Sequence, residues 1–217
     1  MTASDFILGP EPTWLTCTCG TLSARVPCWD CSRVRERRRS ELTARELAAG
    51  SIPPRFRWAR QGAPGFDLGG RVHGDHETLV ARILGAERVC FVGGAGAGKT
   101  SLACACLRER LDGGLFVSAI ALGLARAQAG LGDGEPKLVE SAITAPLLLL
   151  DDVGQEAKVA TNAVRDVVFS RYDADRPTWV TTGLTSQELA ALYGDGFLRR
   201  IAGDGALVVR MGPERKV

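Results

Sequence analysis

The feature that most constrains the fold of this chain is a complete phosphate-loop motif at residues 93–100, Gly-Gly-Ala-Gly-Ala-Gly-Lys-Thr. It directly follows an apolar run at residues 89–92 and precedes a helix-forming segment at residues 101–107. This order of strand, glycine-rich loop and helix is the context in which the motif binds nucleotide phosphates. The alternative is a glycine-rich turn that matches the pattern by chance. The motif in its context predicts a nucleotide site beside a buried strand.

Each residue type in the loop has a chemical reason to be there. Glycines let backbone N–H groups turn toward phosphate oxygens. Lys99 can reach the β and γ phosphates, and the Thr100 hydroxyl can ligate Mg²⁺. We therefore expect ATP as the ligand. The predicted ATP-binding residues here are Gly93, Gly94, Ala95, Gly96, Ala97, Gly98, Lys99, Thr100 and Ser101.

A second motif suggests that the bound nucleotide is hydrolysed. Residues 147–150 are all leucine and are followed by Asp151 and Asp152, which is typical of a buried strand that ends in two carboxylates. The carboxyl ends of parallel strands open onto the ligand crevice. We assign Asp151 to the Mg²⁺ shell and Asp152 to the attacking water. A core strand that merely ends in solvated aspartates is the alternative.

Composition fits one compact domain with an appendage. The chain has 217 residues, of which 45% are hydrophobic and 24% charged, enough for a sizeable core. No apolar stretch approaches the roughly 20 residues that a membrane-spanning helix needs, and the first residues lack the basic region of a signal peptide. We expect a cytoplasmic protein without a membrane partner.

Four of the seven cysteines form two short-spaced pairs near the N-terminus, Cys17 with Cys19 and Cys28 with Cys31. Such pairs allow four thiolates to converge on a tetrahedral Zn²⁺, and disulfides are disfavoured in a reducing compartment. Only one residue separates the first pair, which is tighter than the usual spacing. Free or redox-active thiols are therefore the alternative to zinc.

A basic segment follows the cysteines. Residues 33–39 contain five arginines, and residues 1–60 contain ten arginines against six acids. The arginines suit nucleic-acid phosphates, an acidic protein face or a solvated helix face equally well. A helix is predicted over residues 41–49 with Gly50 as its end, and Pro53 and Pro54 mark a linker. We divide the chain into a zinc-binding and basic partner-binding arm (1–49), a linker (50–70) and an ATPase domain (71–217).

Downstream of the phosphate loop, strand-like and helix-like segments alternate, which predicts a parallel sheet covered by helices. The strand at residues 178–182 is expected beside both nucleotide motifs, where the Thr181 and Thr182 hydroxyls could sense the γ-phosphate; we place Thr182 in the ATP site. Further strands are predicted at 115–119, 147–151 and 206–211, and helices at 122–129, 137–144, 161–172, 186–193 and 195–202.

Taken together, these motifs resemble those of the DnaC/IstB-type AAA+ ATPases, which include helicase loaders and transposition helper ATPases. The shared features occur in the same order and cover roughly residues 50–211. They are Ile-Pro-Pro-Arg-Phe at 52–56, the phosphate loop, Leu-Leu-Asp-Asp-Val-Gly at 149–154, Ser-Arg-Tyr at 170–172, Thr-Thr-Gly-Leu-Thr at 181–185, Tyr-Gly at 193–194 and Arg-Arg-Ile at 199–201.

The resemblance implies a three-layer α/β P-loop NTPase of AAA+ type, with a parallel sheet between helices and a small N-terminal zinc module. It implies an ATPase that loads a replicative DNA helicase onto single-stranded DNA and forms a homo-oligomer when ATP or DNA is bound. It also implies that Arg200, beside Arg199, acts on the ATP of a neighbouring subunit. A transposition helper, a small P-loop kinase and a non-hydrolysing adaptor are the alternatives.

Overall fold

The computed structural model describes residues 15–17, 19, 21–23, 28–60, 75–110, 112–130, 132, 134–156, 161–203 and 205–212. Packing divides the chain into two units, Met1–Leu42 and Thr43–Val217. This division differs from the arm boundary predicted at residue 49. Residues 61–70 of the predicted linker and the predicted first residues of the ATPase domain, 71–74, lie outside the described range.

The larger unit is built on a five-stranded parallel sheet. The strands are rich in leucine, valine and other apolar residues because helices cover both faces of the sheet. They are β3 (Arg88–Gly93), β4 (Leu115–Ser118), β5 (Leu148–Val153), β6 (Thr178–Thr182) and β7 (Leu207–Met211). Their order in the sheet is β4-β5-β6-β3-β7.

Two hydrophobic cores, one on each face of the sheet, make the unit a three-layer sandwich. Helices α2 and α3 pack on one face, and α4 to α8 pack on the other. The predicted fold class, a parallel sheet between helices in a P-loop NTPase, is confirmed. The helices are α2 (His76–Gly85), α3 (Lys99–Glu109), α4 (Ala119–Gln128), α5 (Lys137–Thr144), α6 (Thr161–Asp173), α7 (Ser186–Tyr193) and α8 (Asp195–Ala202).

The smaller unit contains a two-stranded antiparallel pairing of β1 (Leu15–Thr16) with β2 (Leu22–Ser23). Helix α1 (Trp29–Ser51) starts in this unit. The sequence predicted a helix that starts at residue 41 and stops before Gly50, and both of these limits were wrong. The helix starts twelve residues earlier and passes through Gly50, because Ala48 and Ile52 around that glycine are fully buried in the core.

The segment predicted as a linker packs in part against the core. Ile52 and Ala59 are fully buried, and Phe56 packs against the same cluster. The Ser51 hydroxyl accepts a hydrogen bond from the Phe116 N–H of β4 at 3.0 Å. A 3₁₀ turn at Pro54–Phe56 follows the two prolines. Residues 51–59 are therefore an integral part of the larger unit.

Two further element boundaries differ from the predictions. Ala119, predicted to end a strand, is the first residue of α4, because the Ser118 side chain accepts from the Ala121 N–H and caps the helix. Strand β5 continues past Asp151 to Val153, two residues beyond its predicted end. Among the described residues, no helix is long and apolar enough to cross a membrane.

Candidate nucleotide site and cysteine cluster

The phosphate loop connects β3 to α3 and depends on glycine where the backbone is tightest. Gly98 has a φ of 89°, in the left-handed region, and lies immediately before α3. At Gly93, a Cβ would lie 2.1 Å from the Met211 carbonyl oxygen of β7. The loop therefore enters the amino end of α3, where backbone N–H groups and the helix dipole favour phosphate.

Lys99 is held across the mouth of the loop. Its Nζ donates to the carbonyl oxygens of Gly93 and Gly94, each at 2.9 Å. Burial lowers the pKa of Lys99, while the nearby Asp152 and Asp151 act in the opposite direction. The ammonium thus lies over the loop with backbone oxygens as its partners, which a bound phosphate could replace.

Asp151 is buried at the centre of the candidate site. Its Oδ1 accepts from Thr100 Oγ1 at 2.7 Å and from Thr181 Oγ1 at 2.6 Å. Burial raises the pKa of Asp151, and the two hydroxyl hydrogen bonds partly offset this effect. A nearby cation would favour the ionised carboxylate. Thr100 and Asp151, the pair predicted to hold Mg²⁺, are therefore in direct contact and supply the oxygen ligands that Mg²⁺ prefers.

Asp152 lies in a β-bulge. Leu150 pairs with Val180, and Val153 pairs with Thr182, so two residues of β5 stand opposite one residue of β6. Asp152 has a φ of 55°, in the left-handed region, a conformation that costs of the order of 1–3 kcal/mol for a residue with a side chain. The bulge redirects Asp152 relative to the regular alternation of the strand, directly after Asp151.

Thr181 connects the two aspartates. Its hydroxyl donates to Asp151 Oδ1 and accepts from the Asp152 N–H at 2.9 Å, and the residue is fully buried. The hydroxyl of Thr182 instead donates to the Val153 carbonyl at 2.8 Å and accepts from the Leu184 N–H. The Thr182 hydroxyl, predicted to lie in the ATP site, is therefore hydrogen-bonded to nearby backbone, whereas the Thr181 hydroxyl contacts both aspartates.

Arg200 packs against helix α6 of the same chain. Its guanidinium lies 3.9 Å from the ring centroid of Phe169, and Nη2 lies 3.7 Å from Asp173 Oδ1. Tyr172 lies between two arginines, Arg200 at 5.1 Å and Arg88 at 5.0 Å from the ring centroid. The sequence did not indicate that Phe169 and Tyr172 would pack against Arg200.

The pocket beside Arg200 lies at the amino end of the sheet. Arg88 and Thr178 line it, and they are the paired first residues of β3 and β6. The phosphate loop lies beyond the other end of β3, roughly 17 Å of strand away. Arg200 and the phosphate loop of one chain therefore lie at opposite ends of the parallel strands, too far apart to act on the same nucleotide.

The four N-terminal cysteines converge. Their Sγ atoms all lie within 4.8 Å of one another, with Cys17 to Cys31 and Cys19 to Cys28 each at 3.7 Å. Four sulfurs at about 2.3 Å from a tetrahedral Zn²⁺ would be about 3.8 Å apart. The single residue between Cys17 and Cys19 does not prevent this arrangement, and the cluster fits a zinc ion.

The electrostatics of the cluster also favour a bound cation. Backbone N–H groups of Cys19 and Cys28 lower the pKa of Cys17 to about 6. The neighbouring sulfurs of Cys19, Cys17 and Cys28 raise the pKa of Cys31 to about 12, because a second thiolate so close would repel the first. A divalent cation removes this conflict and stabilises all four thiolates together.

Comparison with known proteins identifies the fold. No protein-family model matches the chain, and no curated protein matches it in sequence. Among solved structures, the DnaC helicase loader is 21% identical with a TM-score of 0.56, covering 73% of this chain and 100% of that chain. DnaI is 19% identical with a TM-score of 0.55, covering 73% and 94%.

A third structure is the replication initiator DnaA bound to AMPPCP and single-stranded DNA. It is 20% identical with a TM-score of 0.51, and the match covers 67% of this chain and 50% of DnaA. At these identities the likeness concerns the fold. The larger unit therefore shares the fold of the DnaC and DnaI structures, as the sequence resemblance implied.

Proposed function

We propose that this protein is an AAA+ ATPase that loads a replicative DNA helicase onto single-stranded DNA. The observation that carries the proposal is the hydrogen-bonded group of Thr100, Asp151 and Thr181 behind an intact phosphate loop. It is supported by likeness to a helicase loader along the full length of that structure. This group has the parts of an ATP-hydrolysing site, and the fold is that of a helicase loader.

ATP binding would begin at the phosphate loop and the amino end of α3. Lys99 exchanges its carbonyl partners for β- and γ-phosphate oxygens, and loop N–H groups donate to the same phosphates. Thr100 and Asp151 would hold Mg²⁺, which neutralises phosphate charge when bound there. Since Thr100 and Thr181 already orient the Asp151 carboxylate, little rearrangement of these side chains is needed.

Hydrolysis would depend on Asp152, which the bulge places beside the buried pair. Its carboxylate orients the attacking water, while Thr181, bonded to the Asp152 backbone, links the position of that residue to Asp151. In phosphoryl transfer, positioning and electrostatic stabilisation supply most of the catalysis. The strained backbone at Asp152 is consistent with a conformation retained for this purpose.

The last component is Arg200, which would come from another subunit. Because Arg200 lies at the amino ends of the strands and its own phosphate loop at their carboxyl ends, it can complete a site only when chains assemble head to tail. Such an arginine supplied in trans contributes about 10³–10⁵-fold to turnover in other phosphate-loop enzymes. We therefore expect slow hydrolysis by the isolated chain and faster hydrolysis when ATP and single-stranded DNA promote assembly.

The cysteine-rich arm would contact the helicase. To test this function, the tagged full chain is purified from its host, and co-purifying proteins are identified by mass spectrometry. The captured helicase is then supplied with closed circular single-stranded DNA, and its stable association with the circle is measured with ATP. We expect association with the wild type and none with Lys99→Ala. The exposed Lys137→Ala variant is the control.

A different result would point elsewhere. Capture of a transposase, and ATP turnover that responds to duplex DNA, would indicate a transposition helper. Transfer of the γ-phosphate to a small molecule, unaffected by DNA or protein concentration, would indicate a kinase. Either result would contradict the loader proposal.

A further inference from the structure

The arginines of α1 are arranged unevenly around the helix. Residues 33–40 are all exposed. With about 100° between successive residues, Arg35, Arg38 and Arg39 fall within about 100° of one another. We call this side of the helix, defined by those three residues, the arginine face.

The opposite side of the helix is electrically mixed. Arg33 and Arg37 share it with Asp30 and Glu41, and Arg37 Nε forms an ion pair with Glu41 Oε1 at 3.0 Å. Glu36 lies at the border between the two sides. Positive charge on that side is therefore partly neutralised by its neighbours. On the side of the arginine face, the acidic residue is Glu46, seven residues or about two helical turns beyond Arg39.

The cysteine cluster fixes the start of this helix. Cys28 immediately precedes α1, and Cys31 lies in its first turn, so two of the four converging sulfurs are at the amino end of the helix. The arginine face begins one turn further on. Its guanidinium groups are thus attached to a helix whose start is cross-linked through the cluster when zinc is bound.

The apolar residues of the same segment argue against a docking helix for a protein groove. Trp29, Val34 and Leu42 are between 52% and 65% exposed. They point to three separate sides, about 140° and 80° apart in order along the chain. A helix that docks in a protein groove presents its apolar residues as one stripe at i, i+3, i+4 and i+7. In this segment, charge is the property that is concentrated on one side.

We propose that the arginine face binds the phosphodiester backbone of a nucleic acid, as a contact separate from the ATP site. Guanidinium groups fit phosphate oxygens through two parallel hydrogen bonds. Three of them within about one helical turn of 5.4 Å can face neighbouring phosphates of one strand. The contact depends on the charge and spacing of the phosphates, so it is independent of base sequence. It does not depend on the loader function.

The experiment compares two variants of the full chain that remove equal charge from the same helix. Arg35→Gln with Arg38→Gln changes the arginine face, and Arg33→Gln with Arg37→Gln is the matched control. Binding is measured without nucleotide by fluorescence anisotropy, using labelled oligothymidylate in one arm and a labelled duplex in the other, over a series of salt concentrations. Circular dichroism and zinc content verify that both variants are folded.

We expect the wild type and the control to bind with similar salt dependence. Each lost phosphate contact reduces the slope of log K against log salt by about 0.7 for single strands and about 0.9 for duplex DNA. The arginine-face variant should therefore lose about 1.4 or 1.8 units of slope, and the probe that binds more tightly identifies the form of nucleic acid.

Two results would overturn the proposal. One is equal binding by the two variants, or no binding of either probe by the wild type. The other is binding of labelled polyglutamate that is sensitive to Arg35→Gln with Arg38→Gln while DNA binding is unchanged, because the face would then take an acidic protein. Both readouts are taken without ATP, so a failure of helicase loading would not alter them.

Discussion

At the residue scale, Thr181 and Thr182 show how neighbouring identical side chains can have different roles. The Thr181 hydroxyl bonds to Asp151 and to the backbone of Asp152, whereas the Thr182 hydroxyl bonds to the Val153 carbonyl. Sequence alone proposed both as sensors, because it indicates which residues end a strand but not which hydroxyl the bulge brings to the carboxylates. Thr181 is therefore the residue whose loss should affect chemistry.

Replacing each threonine by valine tests this difference. Thr181→Val should lower kcat by roughly 10–100-fold, as expected when a group that positions a catalytic carboxylate is lost, with little change in ATP affinity. Thr182→Val should leave kcat close to wild type and lower thermal stability modestly. Steady-state hydrolysis and nucleotide titration separate the two effects. Equal loss of kcat in both variants would contradict a special role for Thr181.

Asp151 and Asp152 should also be separable. Asp152→Asn should keep Mg-ATP binding nearly intact while suppressing turnover, because it changes the activation of water and not a phosphate contact. Asp151→Asn should in addition raise the Mg²⁺ concentration needed for half-maximal binding. Titration of Mg²⁺ at fixed fluorescent ATP, together with single-turnover hydrolysis, measures both. Unchanged turnover in Asp152→Asn would place the water-orienting residue elsewhere.

At the element scale, Arg171 joins the helical layer to the sheet. It is fully buried, and burial lowers its pKa to about 10. The sequence placed this arginine in a helix without indicating that it would be internal. Its guanidinium donates to backbone and side-chain oxygens at the end of α5 and the start of β6, namely the carbonyls of Ala142, Ile143, Ala145 and Pro177 and the Thr178 hydroxyl.

Loss of this group should destabilise the larger unit. Arg171→Met keeps much of the side-chain volume but leaves several buried carbonyls without a donor, so we expect the free energy of unfolding to fall by roughly 3 kcal/mol or more. Arg165→Met, on the half-exposed side of the same helix, should change it by less than about 0.5 kcal/mol. Urea denaturation measures both values. Similar stability of the two variants would exclude this role for Arg171.

The elements that the sequence predicted well carry their own local signals. Helix α7 has the predicted bounds because Thr185 and Glu188 form a capping box and Gly194 follows its end. The end of α1 and the bulge in β5 were not predictable in this way. The first depends on the burial of Ala48 in the core, and the second on the register with β6. Both are consequences of tertiary packing that local sequence does not contain.

The cysteine cluster should act as an independent structural element. The purified chain should contain one zinc per molecule by metal analysis, and chelation should increase hydrogen exchange in the first turns of α1 while leaving β3 and β6 protected. Cys31→Ser should lose the metal, whereas Cys90→Ala, in the core strand β3, should retain it. A chain that starts at Thr43 should bind none. Zinc in that shorter chain, or its absence from the full chain, would contradict the assignment.

At the scale of the whole molecule, the length of a strand separates Arg200 from the phosphate loop of the same chain. The phosphate loop lies at the carboxyl ends of the strands and Arg200 at their amino ends. In an assembly, each chain would contribute its phosphate loop to one site and its Arg200 to the next. The sequence alone pointed to Arg200 only through its family resemblance. The sheet topology adds the physical reason, because parallel strands separate their amino ends from their carboxyl ends by the full length of the strand.

This arrangement predicts complementation between two variants that each lack one part of the shared site. Arg200→Ala keeps its phosphate loop, and Lys99→Ala keeps its arginine, so neither alone can form a complete site. A mixture of the two should form some sites with both parts, and ATP hydrolysis should partly return. The recovered rate should rise with protein concentration and with added single-stranded DNA, and it should fall as salt increases because phosphate contacts then weaken. The control is Arg200→Ala mixed with a second chain carrying both Arg200→Ala and Lys99→Ala, whose rate should not exceed that of Arg200→Ala alone because no arginine is available. Recovery in that control, or none in the first mixture despite assembly, would show that Arg200 does not act across an interface.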